Sequence, residues 1–144
     1  MVAVEFAEMT IRDYDEVSAL WRNTVGVGLD DADTRETMAE YLVRNPGLSF
    51  VARDGGAIVG AVLCGHDGRR GYLHHLAVAD SRRRRGIGSA LVERCISGLR
   101  AIGIRKCNII VFAGNSEGQR FWQAAGWIER SDLTFMQKPT GADD

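Results

Sequence analysis

The stretch AVADSRRRRGIGSALVERC, Ala77 to Cys95, decides how this chain folds. Its opening closes an apolar, strand-like run. Its far end sets Ile87, Leu91 and Cys95 at helical intervals, which Leu99 and Ile102 continue. Between the two lie four consecutive arginines and a Gly-x-Gly. A strand, a short loop and a glycine-marked helix start form a layout suited to phosphate. The first-turn N–H groups have no partners within the helix, the helix dipole favours an anion, and glycine lets the backbone approach a ligand closely. Spacing excludes two familiar versions. There is no Gly-Lys-Ser or Gly-Lys-Thr ending, and a dinucleotide fingerprint would put its third small residue at Leu91, where a leucine prevents close packing. What remains is Arg83-x-x-Gly86-x-Gly88.

Working upstream, YLHHLAV (Tyr72 to Val78) alternates as a strand, with Tyr72, His74, Leu76 and Val78 expected on one face and Leu73, His75 and Ala77 on the other. LSFVARD, a Gly-Gly turn and AIVGAVLCG read as a β-hairpin. Nearer the N-terminus, VAVEFAEM reads as a strand, and Ile11, Tyr14, Val17, Leu20 and Trp21 fall at helical spacing. A glycine and aspartate loop then leads to a second helix with Met38, Tyr41 and Leu42 on its apolar stripe. Asp33 or Thr34 can cap it, and Asn45-Pro46-Gly47 ends it. Downstream, KCNIIVFA reads as a buried strand and NSEGQRFWQAAG as a short helix opened by Asn115 or Ser116. DLTFMQK is expected to be a last strand before the solvated tail.

At 144 residues with 45% hydrophobic content, the chain reads as one globular domain, expected over 1–138 with a solvated tail at 139–144. A formal net charge of −1 argues against a generally basic nucleic-acid binder, so any cationic patch must be local. Cys64, Cys95 and Cys107 are odd in number, irregularly spaced and set in apolar runs. They read as small hydrophobes in a reducing compartment, with neither a disulfide framework nor a metal site expected. The N-terminus lacks a basic start and an apolar core, and no run could span a bilayer. A cytoplasmic protein without a membrane partner is expected.

LAVADSRRRRGIGSALV resembles the acetyl-coenzyme A motif of the GNAT superfamily of N-acetyltransferases: Gln or Arg, two residues, Gly, one residue, then Gly or Ala. NSEGQRFWQAAGW resembles the family's later segment of Asn, a helix with adjacent aromatics, and Gly-aromatic, and the order of elements is similar over nearly the whole chain. The resemblance implies an α/β (α+β) fold with a central mixed, mostly antiparallel sheet. Helices would cover both faces, and a splayed cofactor cleft would open between two adjacent central strands. It implies acetyl-CoA as co-substrate and an amine acceptor, with no metal; a homodimer is compatible with it. The pyrophosphate would lie on the amides of Arg84, Arg85, Gly86, Ile87, Gly88 and Ser89, with Arg83 opening the motif. The pantetheine would pair with the strand backbone at Leu76, Ala77 and Val78, a form of β-augmentation. Asn115 would contact the cofactor arm; its other reading is an ordinary N-cap, with Ser116 and Gln119 as a rival capping box. For the arginines, the other reading is a solvated loop.

Acetyl transfer from a thioester to an amine needs an uncharged amine, a stabilised oxyanion and an outlet for the thiolate's charge. His74 aligns with a position where a member of the family carries a proton-relaying histidine, and an imidazole titrating near pH ~6.5 suits that work. Its other reading is a histidine satisfied within the sheet, the role given to His75. Trp122 departs from the pattern, since many members have a proton-donating tyrosine there and an indole N–H cannot serve as an acid. Tyr72 or Tyr41 could substitute, or the thiolate could take a proton from water. The resemblance implies that the segment holding Asp30, Asp31 and Glu36 forms one wall of the acceptor site, where these acids, with Asp33 and Glu40, would attract a cationic amine; the alternative is that Asp33 caps the helix and the acids near its N-terminus complement the dipole. The leading expectation is transfer of the acetyl group to a primary amine by direct attack in a ternary complex. Two rival readings are an acyl-CoA-binding module that has lost catalysis and a nucleic-acid binder using Arg82 to Arg85.

Overall fold

A capping box opens the helical part of the chain. Thr10 accepts from the backbone of the following turn, Asp13 answers back to the Thr10 amide, and a single 3-10 turn (Ile11–Asp13) leads into α1 (Tyr14–Arg22). Before it runs a short strand, β1 (Glu5–Glu8). The computed structural model describes residues 4–141. Of the two caps expected for α2 (Arg35–Arg44), Thr34 takes the role, its hydroxyl accepting from the Thr37 amide at 3.2 Å. The hairpin forms as expected from β2 (Phe50–Asp54) and β3 (Ala57–His66), followed by β4 (Gly71–Val78), α3 (Ile87–Ala101), β5 (Cys107–Ile109) and α4 (Ser116–Ala124).

Packing divides the chain into two compact units, Met1–Phe112 and Ala113–Asp144. The first holds a five-stranded sheet in the order β1-β2-β3-β4-β5, antiparallel except for the parallel β4/β5 pair. This is the mixed, mostly antiparallel sheet expected. On one face α1 and α2 bring Val17, Trp21 and Met38 against Val51, Ala61, Leu63 and Ala77. On the other lies α3, whose Ile87, Leu91, Cys95 and Leu99 are buried. Its close approach depends on Gly60 of β3, where a Cβ would sit 3.1 Å from both the Ile87 and Leu91 side chains. Cys64 and Cys95 fill this layer as small hydrophobes. Their mutual contact and burial push the Cys95 thiol far above the usual range, so it stays protonated.

Three expectations need correction. Ile102 does not extend the buried stripe of α3; it is exposed just past the last turn, where Gly103 (φ 85°) ends the helix. The expected buried strand over KCNIIVFA shortens to three residues, Cys107–Ile109, paired along one edge only, while Ile110 and Phe112 stay exposed. DLTFMQK forms no strand: no ladder reaches it among the described residues, and Leu133, Phe135 and Met136 are exposed. Without a partner edge, an extended segment has nothing to satisfy its backbone except water. The second unit contributes α4, closed after Ala125 by Gly126 at φ 94°. No described helix is long and apolar enough to cross a membrane.

Candidate functional site

The arginine loop begins with a 3-10 turn (Asp80–Arg82) and ends at Gly86, the N-cap of α3. Arg84 (φ 65°) and Gly86 (φ 79°) both take the left-handed conformation, which a non-glycine residue adopts only at a cost. Alternating the backbone in this way turns successive N–H groups toward one side as an anion-binding nest. Among the described residues, no amide from Arg84 to Ser89 donates to a protein group. No side chain caps α3 either, so the helix opens onto solvent with its dipole unopposed.

The four arginines divide by role. Arg82 Nε donates to Asp54 at 2.8 Å and its Nη1 to the Ser81 hydroxyl at 2.8 Å, fastening the loop to the end of β2. Arg83 pairs with Asp80 at 3.2 Å. Arg84 and Arg85 are exposed and form no ion pair among the described residues, so their charge is available to a ligand.

β4 carries the second half of the site. It pairs with β5 at Gly71, Tyr72 and Leu73, where β5 ends, and the backbone of His74 to Val78 has no ladder on that side among the described residues. Leu76, Ala77 and Val78 therefore offer an open edge immediately before the arginine loop. The other edge stays paired to β3 with an irregularity. Ala61 faces Ala77 and Leu63 faces His74, so Val62 alone opposes both His75 and Leu76. The extra residue is a β-bulge, and His75 takes it up at φ 56°.

This bulge overturns the expected alternation. Residues paired across antiparallel strands share a face, so His74 and Ala77 lie on the same side of the sheet, that of α1 and α2. His75 comes to that side too. Its ring lies edge-on to Trp21 of α1 with centroids 5.0 Å apart, and its Nε2 is 2.9 Å from Asp33 Oδ1. The expectation that His75 points to the opposite face fails because one inserted residue resets the period. Its Asp33 partner, 42 positions away, could not be read from local sequence.

His74 sits between two tyrosines. Tyr72 stacks on it at 6.4 Å and Tyr41 meets it edge-on at 6.3 Å. The imidazole is exposed, with no hydrogen-bond partner among the described residues. Loss of hydration from the surrounding protein, then the neighbouring His75, hold it below the ordinary imidazole range, while Asp33 works in the opposite sense. His74 is therefore neutral at pH 7 with a nitrogen free to accept. The Tyr41 hydroxyl is buried with no partner among the described residues, and burial pushes it above the usual phenol range.

Residues 14–127 match the acetyltransferase (GNAT) family. The chain belongs to that family. An acetyltransferase of Yersinia enterocolitica is 37% identical over 103 residues, covering 72% of each chain. Among solved structures, an aminoglycoside N-acetyltransferase in complex with coenzyme A overlays at a TM-score of 0.77, with 20% identity and 96% of each chain covered. Diaminobutyrate acetyltransferase from Paenibacillus lautus, in complex with its substrate and coenzyme A, overlays at 0.74 with 23% identity, covering 86% of this chain and 75% of that one.

Within this GNAT chain the remaining candidates fall as follows. Asp30 accepts from the Ala32 amide at 2.8 Å and opens a 3-10 turn (Asp31–Asp33) in a capping box with Asp33. Its carboxylate is thus engaged locally, while Asp31 and Glu36 are exposed. In the second unit, Asn115 caps α4 through Oδ1, which accepts from the Gly118 amide at 2.9 Å, leaving Nδ2 as a donor. Gln119 does not close a capping box with its side chain; its Nε2 donates to the Ala113 carbonyl at 2.8 Å. Trp122 packs edge-on against both Phe121 and Trp127, with centroids 5.0 Å away in each case.

Proposed function

We propose that this acetyltransferase moves the acetyl group of acetyl-CoA to a primary amine by direct attack within a ternary complex, using residues 1–138 as one catalytic domain. One observation carries the reading: among the described residues, a run of unpartnered amides from Arg84 to Ser89, turned by two left-handed residues, adjoins an open strand edge. A pyrophosphate matches such a nest, and a pantetheine arm matches such an edge. Solved proteins of the same fold support it, one an aminoglycoside N-acetyltransferase with coenzyme A and one with coenzyme A and an amine substrate, L-2,4-diaminobutyric acid.

In this reading Arg84 and Arg85 flank the pyrophosphate, Gly86 to Ser89 hold it by their amides, and Leu76 to Val78 bind the arm through their backbone. Arg83, tied to Asp80, fixes the entry of the loop. Bound there, acetyl-CoA supplies an activated acetyl thioester. His74, held neutral at pH 7, takes the amine's proton directly or through water, with Tyr72 keeping the imidazole in place by stacking. Asn115, in the second unit, keeps Nδ2 as a donor beside its cap on α4. The Trp122 indole supplies no proton; a thiol titrating near ~8.5 is a tolerable leaving group without a general acid. Asp31 and Glu36 raise the local concentration of a cationic acceptor, and Asp30 shapes the turn that presents them.

Release of free thiol from acetyl-CoA in the presence of a panel of polyamines, amino acids, aminoglycosides and N-terminal peptides tests the reading, with the product identified by mass. At least one amine should give turnover and an acetylated product. Tight coenzyme A binding with no amine-dependent thiol release across the panel would instead make the chain an acyl-CoA-binding module.

A further inference from the structure

The Asp33–His75 pair joins two parts of the chain that neither residue's local role requires it to join. Asp33 Oδ2 already closes the 3-10 turn by accepting from the Asp30 amide at 3.0 Å, and its carbonyl accepts from the Tyr14 hydroxyl at 2.6 Å. Its second carboxylate oxygen is left over, and it reaches His75 Nε2 at 2.9 Å, with both side chains largely buried at 17% and 11% exposure. On the other partner, Trp21 Nε1 donates to the His75 carbonyl at 2.8 Å while its ring flanks the imidazole. His75 is thus held at its backbone, along one ring edge and at Nε2. A carboxylate accepts only from a protonated nitrogen, so Asp33 fixes the proton on Nε2 and removes that nitrogen from any role as a base. The adjacent His74 has no such partner among the described residues. Two neighbouring imidazoles therefore do different work.

We propose that the Asp33–His75 bond is a positioning clamp. It holds the segment between α1 and α2, with Asp30 and Asp31, against the β4 bulge, and thereby sets the affinity for the acceptor amine without touching either substrate. The part concerning the acceptor rests on the acetyl-transfer reading; the clamp itself does not. Val27 and Leu29 of the same segment pack on the core beneath it, so the clamp adds a polar tie to an apolar seat. The arginine loop has its own ties, Arg82 to Asp54 and Arg83 to Asp80, and is independent of the clamp.

His75→Asn tests this, because asparagine tolerates the left-handed backbone of the bulge but is too short to keep the Nε2 contact. Hydrogen exchange of the full chain without substrates should accelerate at least tenfold in 23–34 and stay unchanged in 84–89. In steady state the KM for the amine should rise several-fold, with the KM for acetyl-CoA unchanged and kcat altered less than twofold. Asp33→Ser cuts the bond from the loop side together with the Oδ2 contact to the Asp30 amide, leaves β4 intact and must reproduce both effects of His75→Asn, which spares that contact. Unchanged exchange in 23–34 in either cutting variant would overturn the clamp, as would acceleration centred on 71–78. Faster loop exchange with an unchanged amine KM would overturn its role toward the acceptor. Absence of acetyl transfer in the unmodified protein would remove the acetyl-transfer reading while the exchange result still decides the clamp.

Discussion

Replacing Gly86 by Asp separates an anion nest from a mere tight turn. Gly86 is left-handed, and a Cβ there would meet nothing within 4 Å, so a side chain costs backbone strain but no collision. For a non-glycine residue that strain is about 1–2 kcal/mol, a loss of roughly 2–8 °C in Tm for a domain of this size. Gly86→Ala carries this cost alone. Gly86→Asp adds a negative charge beside the amides and offers its carboxylate to first-turn N–H groups that a pyrophosphate would use. At a separation of ~5 Å, each charge pair repels by about 1 kcal/mol in water and about 3 kcal/mol at an effective dielectric of 20. Two phosphate charges at an exposed loop place the penalty at about 2–4 kcal/mol, roughly 30- to 700-fold in Kd. Calorimetric titration of coenzyme A, with thermal unfolding monitored alongside, should show Gly86→Ala losing stability and little affinity, and Gly86→Asp losing most of its binding. A folded Gly86→Asp protein that binds coenzyme A within threefold of the unmodified protein would refute the nest.

The arginines should separate by role: Arg82→Ala, which leaves Asp54 without its partner, should cost about 1–2 kcal/mol in urea unfolding with coenzyme A affinity retained. Arg84→Ala and Arg85→Ala should leave stability unchanged but weaken coenzyme A binding, and the deficit should shrink in high salt. His74→Ala should lower kcat and remove an ionisation from the rate–pH profile. Because the folded imidazole lies below its ordinary value, the acidic limb should fall below pH ~6.5, with activity lost as the base protonates. The same downward displacement makes this residue destabilise the fold as the pH drops through that range, since the unfolded chain then binds the proton more readily. Trp122→Phe should keep most of the turnover and Trp122→Tyr should match or exceed the unmodified protein; a large loss in a folded Trp122→Phe would show that the indole N–H is needed.

Wherever local chemistry dictates structure, the sequence was readable. Gly55-Gly56 announced the hairpin, Thr34 was one of two candidate caps, and Gly86 marked the start of α3, because turns and helix ends demand particular residues. The register of β4 was not readable by period alone, since a bulge at His75 adds a residue without changing composition. The available signal was the residue type, histidine being enriched among non-glycine left-handed positions. Nor could spacing tell which arginines face a ligand, because Arg82 is engaged by Asp54, a residue brought near by the sheet. For the segment after Trp127, alternation at Leu133 and Phe135 promised a strand, but pattern alone supplies no edge to pair with.

Every step of the proposed transfer depends on coenzyme A lying along Leu76 to Val78 with its pyrophosphate on Arg84 to Ser89. Titration of the isotopically labelled chain with coenzyme A, followed through its backbone amide resonances, tests it directly. Binding in this place gives saturable shifts centred on the amides of 84–89 and the β4 backbone at 76–78, with the segment 23–34 little affected. Shifts centred elsewhere, with 84–89 unmoved at saturation, would contradict it.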